Sequence, residues 1–265
     1  MLEYIALGAL QGVAEWLPIS SEAVVILATT HLFPTLLLSD AIRLALFLHL
    51  GTFLAALVYL RHDVRKLLRA VYHYTTANEI EKRELTFLIQ ASLVTAVIAL
   101  PLLKLIDESS ALLAVSAGVL GAIIGAFLIV TGLLHMQSDK KEGERESNTL
   151  TTKDGVITGV FQGFAAIPGL SRSGLTVAAL LLRGINDQTA LRLSFLLSLP
   201  VVLGGNILLN STRVTAMGAP EAVALITSFV FGLATISLLM KVARHISWSS
   251  FTIIAGILLI IAAFV

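Results

Sequence analysis

Apolar residues run almost unbroken along this chain, and the polar interruptions fall at particular places. A helix needs about 20 apolar residues to cross a hydrocarbon core of ~30 Å. Residues 42–60, 86–106, 111–136, 189–210 and 220–242 meet or nearly meet that length, and 249–265 is shorter but adequate. Six membrane-crossing helices are expected. Four further apolar pieces are too short to cross: 2–17, 21–33, 155–167 and 174–184. They stop at Pro18, Pro34, Pro168-Gly169 and Arg183-Gly184. Proline has no N–H to give, and its ring collides with the preceding turn. Short helices in pairs, with a polar Pro/Ser/Gly turn between them, predict two re-entrant helix–loop–helix elements. Such backbone is tolerated at membrane depth only inside protein or beside a water-filled cavity. One kinked spanning helix per pair is the alternative.

The chain also repeats itself. Gly8-x-x-Gln11-Gly12 returns 151 residues later as Gly159-x-x-Gln162-Gly163. Each copy is followed by a proline (Pro18, Pro168) and a serine cluster (Ser20-Ser21; Ser171 and Ser173). Arg43-Leu44-x3-Leu48-x-Leu50-Gly51 returns 149 residues later as Arg192-Leu193-x3-Leu197-x-Leu199-Pro200. Single matches are cheap in leucine-rich sequence, but two in one register are not. Each half then holds one re-entrant pair and three spans. An odd number of crossings inserts the second half upside down. That is the inverted-repeat plan of many transporters, whose sites lie at mid-membrane where broken helices meet. The expected divisions are 1–137 (first repeat), 138–154 (cytoplasmic linker) and 155–265 (second, inverted repeat), together forming one membrane domain. The fold class is an all-α integral membrane protein.

Composition sharpens the picture by exclusion. The chain is 57% hydrophobic and 13% charged, against about 45–50% and about 25% in soluble domains. An ordinary soluble enzyme and a disordered chain are both excluded. A net charge of +1 offers no footprint for nucleic acid. The absence of cysteine excludes disulfides, thiolate metal sites and a cysteine nucleophile. The start, MLEYIALGALQG, lacks a basic n-region and does not read as a cleaved signal peptide. On the six-span topology, fourteen lysines and arginines fall on one side and only Arg43, Lys104 and Arg213 on the other. Cytoplasmic loops carry the excess. The first re-entrant pair therefore enters from outside and the second from the cytoplasm. The polar segment Ser138–Asp154 reads as a solvated linker.

The few polar groups inside the apolar mass carry the chemistry. A charge at the bilayer centre costs about 2.5–3.5 kcal/mol on insertion scales, so such residues face a cavity and have partners. Here they are Glu15, Glu22 and Arg172, with Gln11, Ser20, Ser21, Ser171 and Ser173. Gln11 and Glu15 share one helix face, and Ser20-Ser21 lies in the turn beyond. The second break reads Pro168-Gly169-Leu170-Ser171-Arg172-Ser173-Gly174. Ser171 or Ser173 can cap the helix that follows, whose N-terminus is an anion seat. Arg172 adds a planar fork that matches a phosphate. If the two tips meet, a hydroxyl nucleophile, a carboxylate, an arginine and backbone donors come together. Those are the parts for phosphoryl transfer. A structural Arg172–Glu15 salt bridge joining the halves, with the serines as plain helix caps, is the simpler alternative.

At these residues the chain resembles a known family. QGVAEWLPISS is similar to the signature (E/Q)-x3-E followed by L-P-x-S-S, and PGLSRSG to P-G-x-S-R-S-G. The family is undecaprenyl-diphosphate phosphatase, of the bacitracin-resistance type. The resemblance extends to His49–Thr52 (HLGT), to the run ending LSFLLSLP, and to the overall length. It implies six spans plus two re-entrant pairs. It also implies hydrolysis of a carrier-lipid diphosphate to the monophosphate at the outer face of the plasma membrane, in the service of cell-wall synthesis, with a divalent cation. By position, Gln11 and Glu15 match the first motif's two acidic places. Ser21 matches the second serine and the nucleophile, and Arg172, flanked by Ser171, Ser173 and Gly174, the phosphate-binding arginine. One departure matters. The family usually continues S-S-T-G-H, whereas this chain has Ser20-Ser21-Glu22-Ala23-Val24, with Val24 where the histidine stands. Either Glu15 or Glu22 then takes the proton role, or activity is weak or altered. His31 and His49 are off the motif position, and a lone histidine on an apolar helix is expected to be a satisfied interior residue.

The expected reaction has Ser21 attacking the terminal phosphorus of a polyprenyl diphosphate, with Arg172 and the amides near Ser173-Gly174 holding the equatorial oxygens. Gln11, Ser20, Ser171, Ser173 and Gly174 are expected to bind substrate. Glu15 takes the serine proton or, with Gln11, holds Mg²⁺ or Ca²⁺ through oxygen. Direct attack by water is an alternative. So is a lipid-phosphate flippase using the same cavity. An ion channel is disfavoured because no span carries a ring of like charges. A homodimer is one option for assembly.

Overall fold

The short apolar pieces fold as short helices and the long ones as long helices. A computed structural model describes residues 1–17, 19–108, 145–167, 170–210 and 217–242, with scattered positions within 122–136 and 250–261. Most of the expected spans 111–136 and 249–265, the linker before Arg145, and Pro18, Pro168 and Gly169 lie outside the described residues. The first short pair is α1 (Leu2–Ala14) and α2 (Ser21–Leu32). The long helix α3 (Leu38–Tyr59), the short α4 (Arg61–Tyr72) and the long α5 (Glu79–Glu108) follow. The second short pair is α6 (Thr152–Phe164) and α7 (Arg172–Leu182), then the long α8 (Asp187–Leu209) and α9 (Ala219–Val242). Within α3, α5, α8 and α9, the stretches Ser39–Tyr59, Glu79–Leu105, Asp187–Leu209 and Ala219–Lys241 are long and apolar enough to cross a membrane. Their bounds lie close to those expected. No β-sheet forms among the described residues, only a single backbone bridge between Arg145 and Ile185.

The second helix of each short pair begins at a serine cap. Ser20 Oγ accepts from the Ala23 N–H at 3.3 Å, and Ser171 Oγ from the Gly174 N–H at 3.1 Å. Each satisfies an amide that the first helical turn leaves without a partner. Packing is reciprocal between the halves. α1 lies against α9, and α6 lies against α5. Glycines set both seams. A Cβ on Gly12 would sit 2.7 Å from the Ser228 carbonyl oxygen, and one on Gly159 2.7 Å from that of Ala91. Only glycine admits such contact between helix backbones.

Trp16 links the first break to the core. Its indole N–H donates to the Gly232 carbonyl at 2.9 Å, and its ring meets Phe195 edge-on at 5.0 Å. The bulky end of the first break is thereby fixed against α8 and α9. α3 and α8 pack antiparallel. Asn210, at the end of α8, donates to the Arg43 carbonyl near the start of α3 at 3.0 Å. Arg192, near the start of α8, pairs with Asp63 at 2.8 Å and with Glu84, and donates to Ser147 Oγ at 2.8 Å.

Two local features differ from expectation. α4 falls between two expected spans, where no helix is expected. It buries Leu67 and Ala70 and leaves Arg65, Lys66 and Arg69 exposed, a periodicity that a search for long apolar runs overlooks. The second part of the expected solvated linker is docked. Asp154 is fully buried, pairs with Arg145 at 2.8 Å and Arg183 at 2.7 Å, and accepts from Thr151 through both N–H and hydroxyl. Burial alone would raise its carboxyl, but the hydrogen bonds from Arg145, Thr151 and Arg183 outweigh it and hold it well below the usual carboxylate range. Paired burial is how a charge survives out of water.

Candidate active site

The two serine breaks meet, and polar side chains from four helices gather there. Gln11 lies on α1, and Glu15 is the residue that ends it. Ser21 opens α2, His49 lies in the middle of α3, and Arg172 opens α7. Gln11, Glu15 and Ser21 are all buried. Glu15 is the hub. One carboxylate oxygen, Oε1, takes Arg172 as an ion pair. The other, Oε2, accepts from Ser21 Oγ at 2.7 Å and from Gln11 Nε2 at 2.7 Å, and lies 3.2 Å from His49 Nε2. The expected i, i+4 pairing of Gln11 with Glu15 is thus present, and the Arg172–Glu15 bridge between the halves is formed.

Arg172 is not saturated by Glu15. Its other terminal nitrogen, Nη1, reaches the Ser194 carbonyl at a long 3.4 Å. A guanidinium has five N–H groups, so the fork can keep Glu15 and still offer donors to an anion. The neighbouring serines are mostly committed to holding the tips. Ser20 and Ser171 are the caps described above. Ser173 Oγ donates to the Leu17 carbonyl at 2.9 Å and lies 3.2 Å from Ser171 Oγ. That bond stitches the second break to the first. The Gly174 amide serves the Ser171 cap. Glu22 sits half-buried one residue beyond Ser21, and its side chain makes no hydrogen bond among the described residues.

His49 belongs to this cluster, against the expectation of a satisfied interior histidine. Its Nε2 lies 3.4 Å from Ser21 Oγ, and its Nδ1 lies 2.7 Å from the Ala45 carbonyl one turn back. A carbonyl only accepts, so Nδ1 carries the hydrogen and Nε2 of the neutral ring is an acceptor aimed at the serine. A signal was present in the sequence. His49 is the one histidine in the run LSDAIRLALFLHLGTFLAALVY, far from any loop where a solvated histidine belongs. His31, by contrast, is exposed and bonds to the Leu27 carbonyl at 2.8 Å.

The oxygens set the terms for any cation. Both oxygens of Glu15 have partners, whereas Gln11 Oε1 is buried with none. Among the described residues no group of three or more His, Cys, Asp or Glu is placed to hold a metal. A hard cation takes six or more oxygens, so most would have to come from substrate and water. As chemistry, the cluster offers a buried hydroxyl with two acceptors, a carboxylate, and an arginine with donors to spare.

The comparisons point to one family. Residues 4–261 match the family of bacitracin resistance protein BacA. The chain is 41% identical to an undecaprenyl-diphosphatase of Methanococcoides burtonii, over 99% of this chain and 98% of that one. It is 40% identical to an undecaprenyl-diphosphatase of Haloarcula marismortui, over 97% and 95% of the two chains, and 36% identical to one of Methanothrix thermoacetophila, over 97% and 94%. With four long apolar helices among its described residues this is a multi-pass membrane protein, and the chain belongs to the bacitracin resistance protein BacA family.

Proposed function

We propose that this protein hydrolyses a polyprenyl diphosphate of the undecaprenyl type to the monophosphate and inorganic phosphate. The observation that carries the reading is the Glu15–Ser21–Arg172 cluster, buried where the two helix breaks touch. Ser21 Oγ attacks the terminal phosphorus. Arg172 turns its remaining N–H groups, with the first-turn amides of α7, to the equatorial oxygens, where charge develops during transfer. Glu15 holds both the serine and the arginine in place. A Mg²⁺ or Ca²⁺ carried by the diphosphate would find Gln11 Oε1 uncommitted, with Glu15 joining only by releasing a partner. Such an ion supplies charge neutralisation on the leaving phosphate.

The setting follows from the same frame. The chain is read as six spans and two re-entrant pairs in an inverted repeat, divided at 138–154. The reciprocal packing of α1 on α9 and α6 on α5, and the antiparallel α3 and α8, support it. The gathering of Arg192, Asp63, Glu84 and Ser147 at one end fits that end facing the cytoplasm. The site then opens to the outer side of the plasma membrane, where the lipid tail lies between helices and the diphosphate enters.

The test is phosphate release from a long-chain polyprenyl diphosphate by purified protein in detergent, with Mg²⁺ or Ca²⁺. Wild type should release phosphate and Ser21→Ala should not. An inactive wild type, or one that in proteoliposomes moves lipid between leaflets without releasing phosphate, overturns the enzyme. Full activity in Ser21→Ala removes the nucleophile and leaves the enzyme standing.

A further inference from the structure

The position where the family signature carries a histidine is Val24 here, so the proton of Ser21 needs another destination. Two acceptors lie near it: Glu15 Oε2 at 2.7 Å and His49 Nε2 at 3.4 Å. Glu15 is the nearer and the less suitable. Its charge is already divided among Arg172, Gln11 and Ser21. Taking a proton would weaken the bond to the arginine at the moment that arginine is needed on the phosphate. His49 has no such conflict. Its Nδ1–H is fixed by the Ala45 carbonyl at 2.7 Å, which leaves the Nε2 lone pair free to receive. Once protonated, Nε2 has Glu15 Oε2 only 3.2 Å away to stabilise the imidazolium. A serine, an imidazole of fixed tautomer and a carboxylate that stays ionised is the division of labour known from serine hydrolases. A serine-to-base distance of this length is ordinary before substrate closes the site.

We infer that His49, on α3, is the general base of this protein and supplies the imidazole that its first signature lacks at Val24. The inference rests on the phosphatase reading above. In the first step the Ser21 O–H bond breaks and its proton goes to His49 Nε2. The oxygen pair forms the bond to the terminal phosphorus, and the bond from that phosphorus to the bridging oxygen breaks. The bridging oxygen leaves with the electron pair as the lipid monophosphate and receives the proton from His49. In the second step His49 takes a proton from water. The resulting hydroxide attacks phosphoserine, the P–Oγ bond breaks, and Ser21 recovers its proton from His49 as inorganic phosphate departs.

The experiment compares His49→Gln, His49→Ala and Ser21→Ala with wild type. It uses intact protein in detergent and a long-chain polyprenyl diphosphate, and reads kcat, KM and the thermal midpoint. General bases contribute about 10²–10⁴-fold. Both His49 variants should lose kcat by about 10²-fold or more, while KM and the midpoint stay near wild type. Unchanged kcat in His49→Gln, with Ser21→Ala inactive, overturns the base and leaves the phosphatase intact. A fall in midpoint that parallels the loss of kcat in both variants makes His49 a packing residue and also overturns it. An inactive wild type is the separate failure of the enzyme reading.

Discussion

The two helix breaks are built alike and equipped differently. Ser20 caps α2 as Ser171 caps α7, and each break follows a glycine-bearing helix seated on a long helix of the other half. Beyond the caps the copies diverge. In the shared register Ser21 stands opposite Arg172, Glu15 opposite Ala166, and His49 opposite Ser198. The first break holds the hydroxyl and the carboxylate, α3 brings the imidazole beside them, and the second break holds the guanidinium. The two breaks thus share their caps and glycine seams, and their polar side chains are what differ. Glu15 and Arg172 pair across the join, so the proposed site needs both breaks.

The largest effect should come from removing the second break's one charged contribution. Arg172→Ala is expected to lower phosphate release by about 10³-fold or more, the range in which an arginine stabilises phosphoryl transfer. It should also destabilise the protein, since a buried Glu15 loses its partner and broken buried pairs typically cost about 3–5 kcal/mol. The check is kcat together with the thermal midpoint in detergent. An Arg172→Ala protein with near-normal turnover would reduce the arginine to a strut between halves.

Much of this frame was legible in the sequence, for a physical reason. Apolar length marks a span and proline marks a break, so four long helices and four short ones lie close to where apolar length puts them, although the charged start of α5 reaches back to Glu79, ahead of the expected 86. The site was legible through scarcity. In so apolar a chain Glu15 and Arg172 stand out, and their motif neighbours with them. What the sequence hid was contact across distance. His49 is 28 residues from Ser21, and no local pattern says which face of α3 it occupies. The docking of Asp154 escaped for the same reason, because Arg145 and Arg183 reach it from either side of a helix pair. α4 escaped because its stripe of buried residues is short and its charges dominate its composition.

The paired glutamines sharpen the comparison at a smaller scale. Gln11 Nε2 serves Glu15 at 2.7 Å, whereas Gln162 Nε2 serves Thr95 Oγ1 of α5 at 3.1 Å. The same residue in the same register is tied to the site in one half and to a helix seam in the other. Gln11→Ala should lower kcat about tenfold, because a hydrogen bond to a charged group is worth about 1.5 kcal/mol or more. Gln162→Ala should leave kcat near wild type and lower the thermal midpoint by the equivalent of about 1 kcal/mol. Equal losses of kcat in the two variants would erase the distinction between a working break and a supporting one.

The mildest test contrasts Glu15 with Asp154, another buried carboxylate that carries arginines. Glu15 has one arginine and shares its second oxygen with groups fit for chemistry, whereas Asp154 has two arginines and Thr151 and touches nothing reactive. Asp154 should therefore matter for stability and not for turnover. Its carboxyl is held low in the folded protein, and an unfolded aspartate titrates near 3.9. The ionised form is the one the fold favours, so its contribution is complete above about pH 4 and fades as pH falls towards the folded value. Asp154→Asn should lower the midpoint at pH 7 with kcat little changed, and the gap to wild type should close as pH drops below about 4. A gap that stays constant into acid would mean that the shape of the side chain, and not its charge, joins the docked linker to α6 and α7.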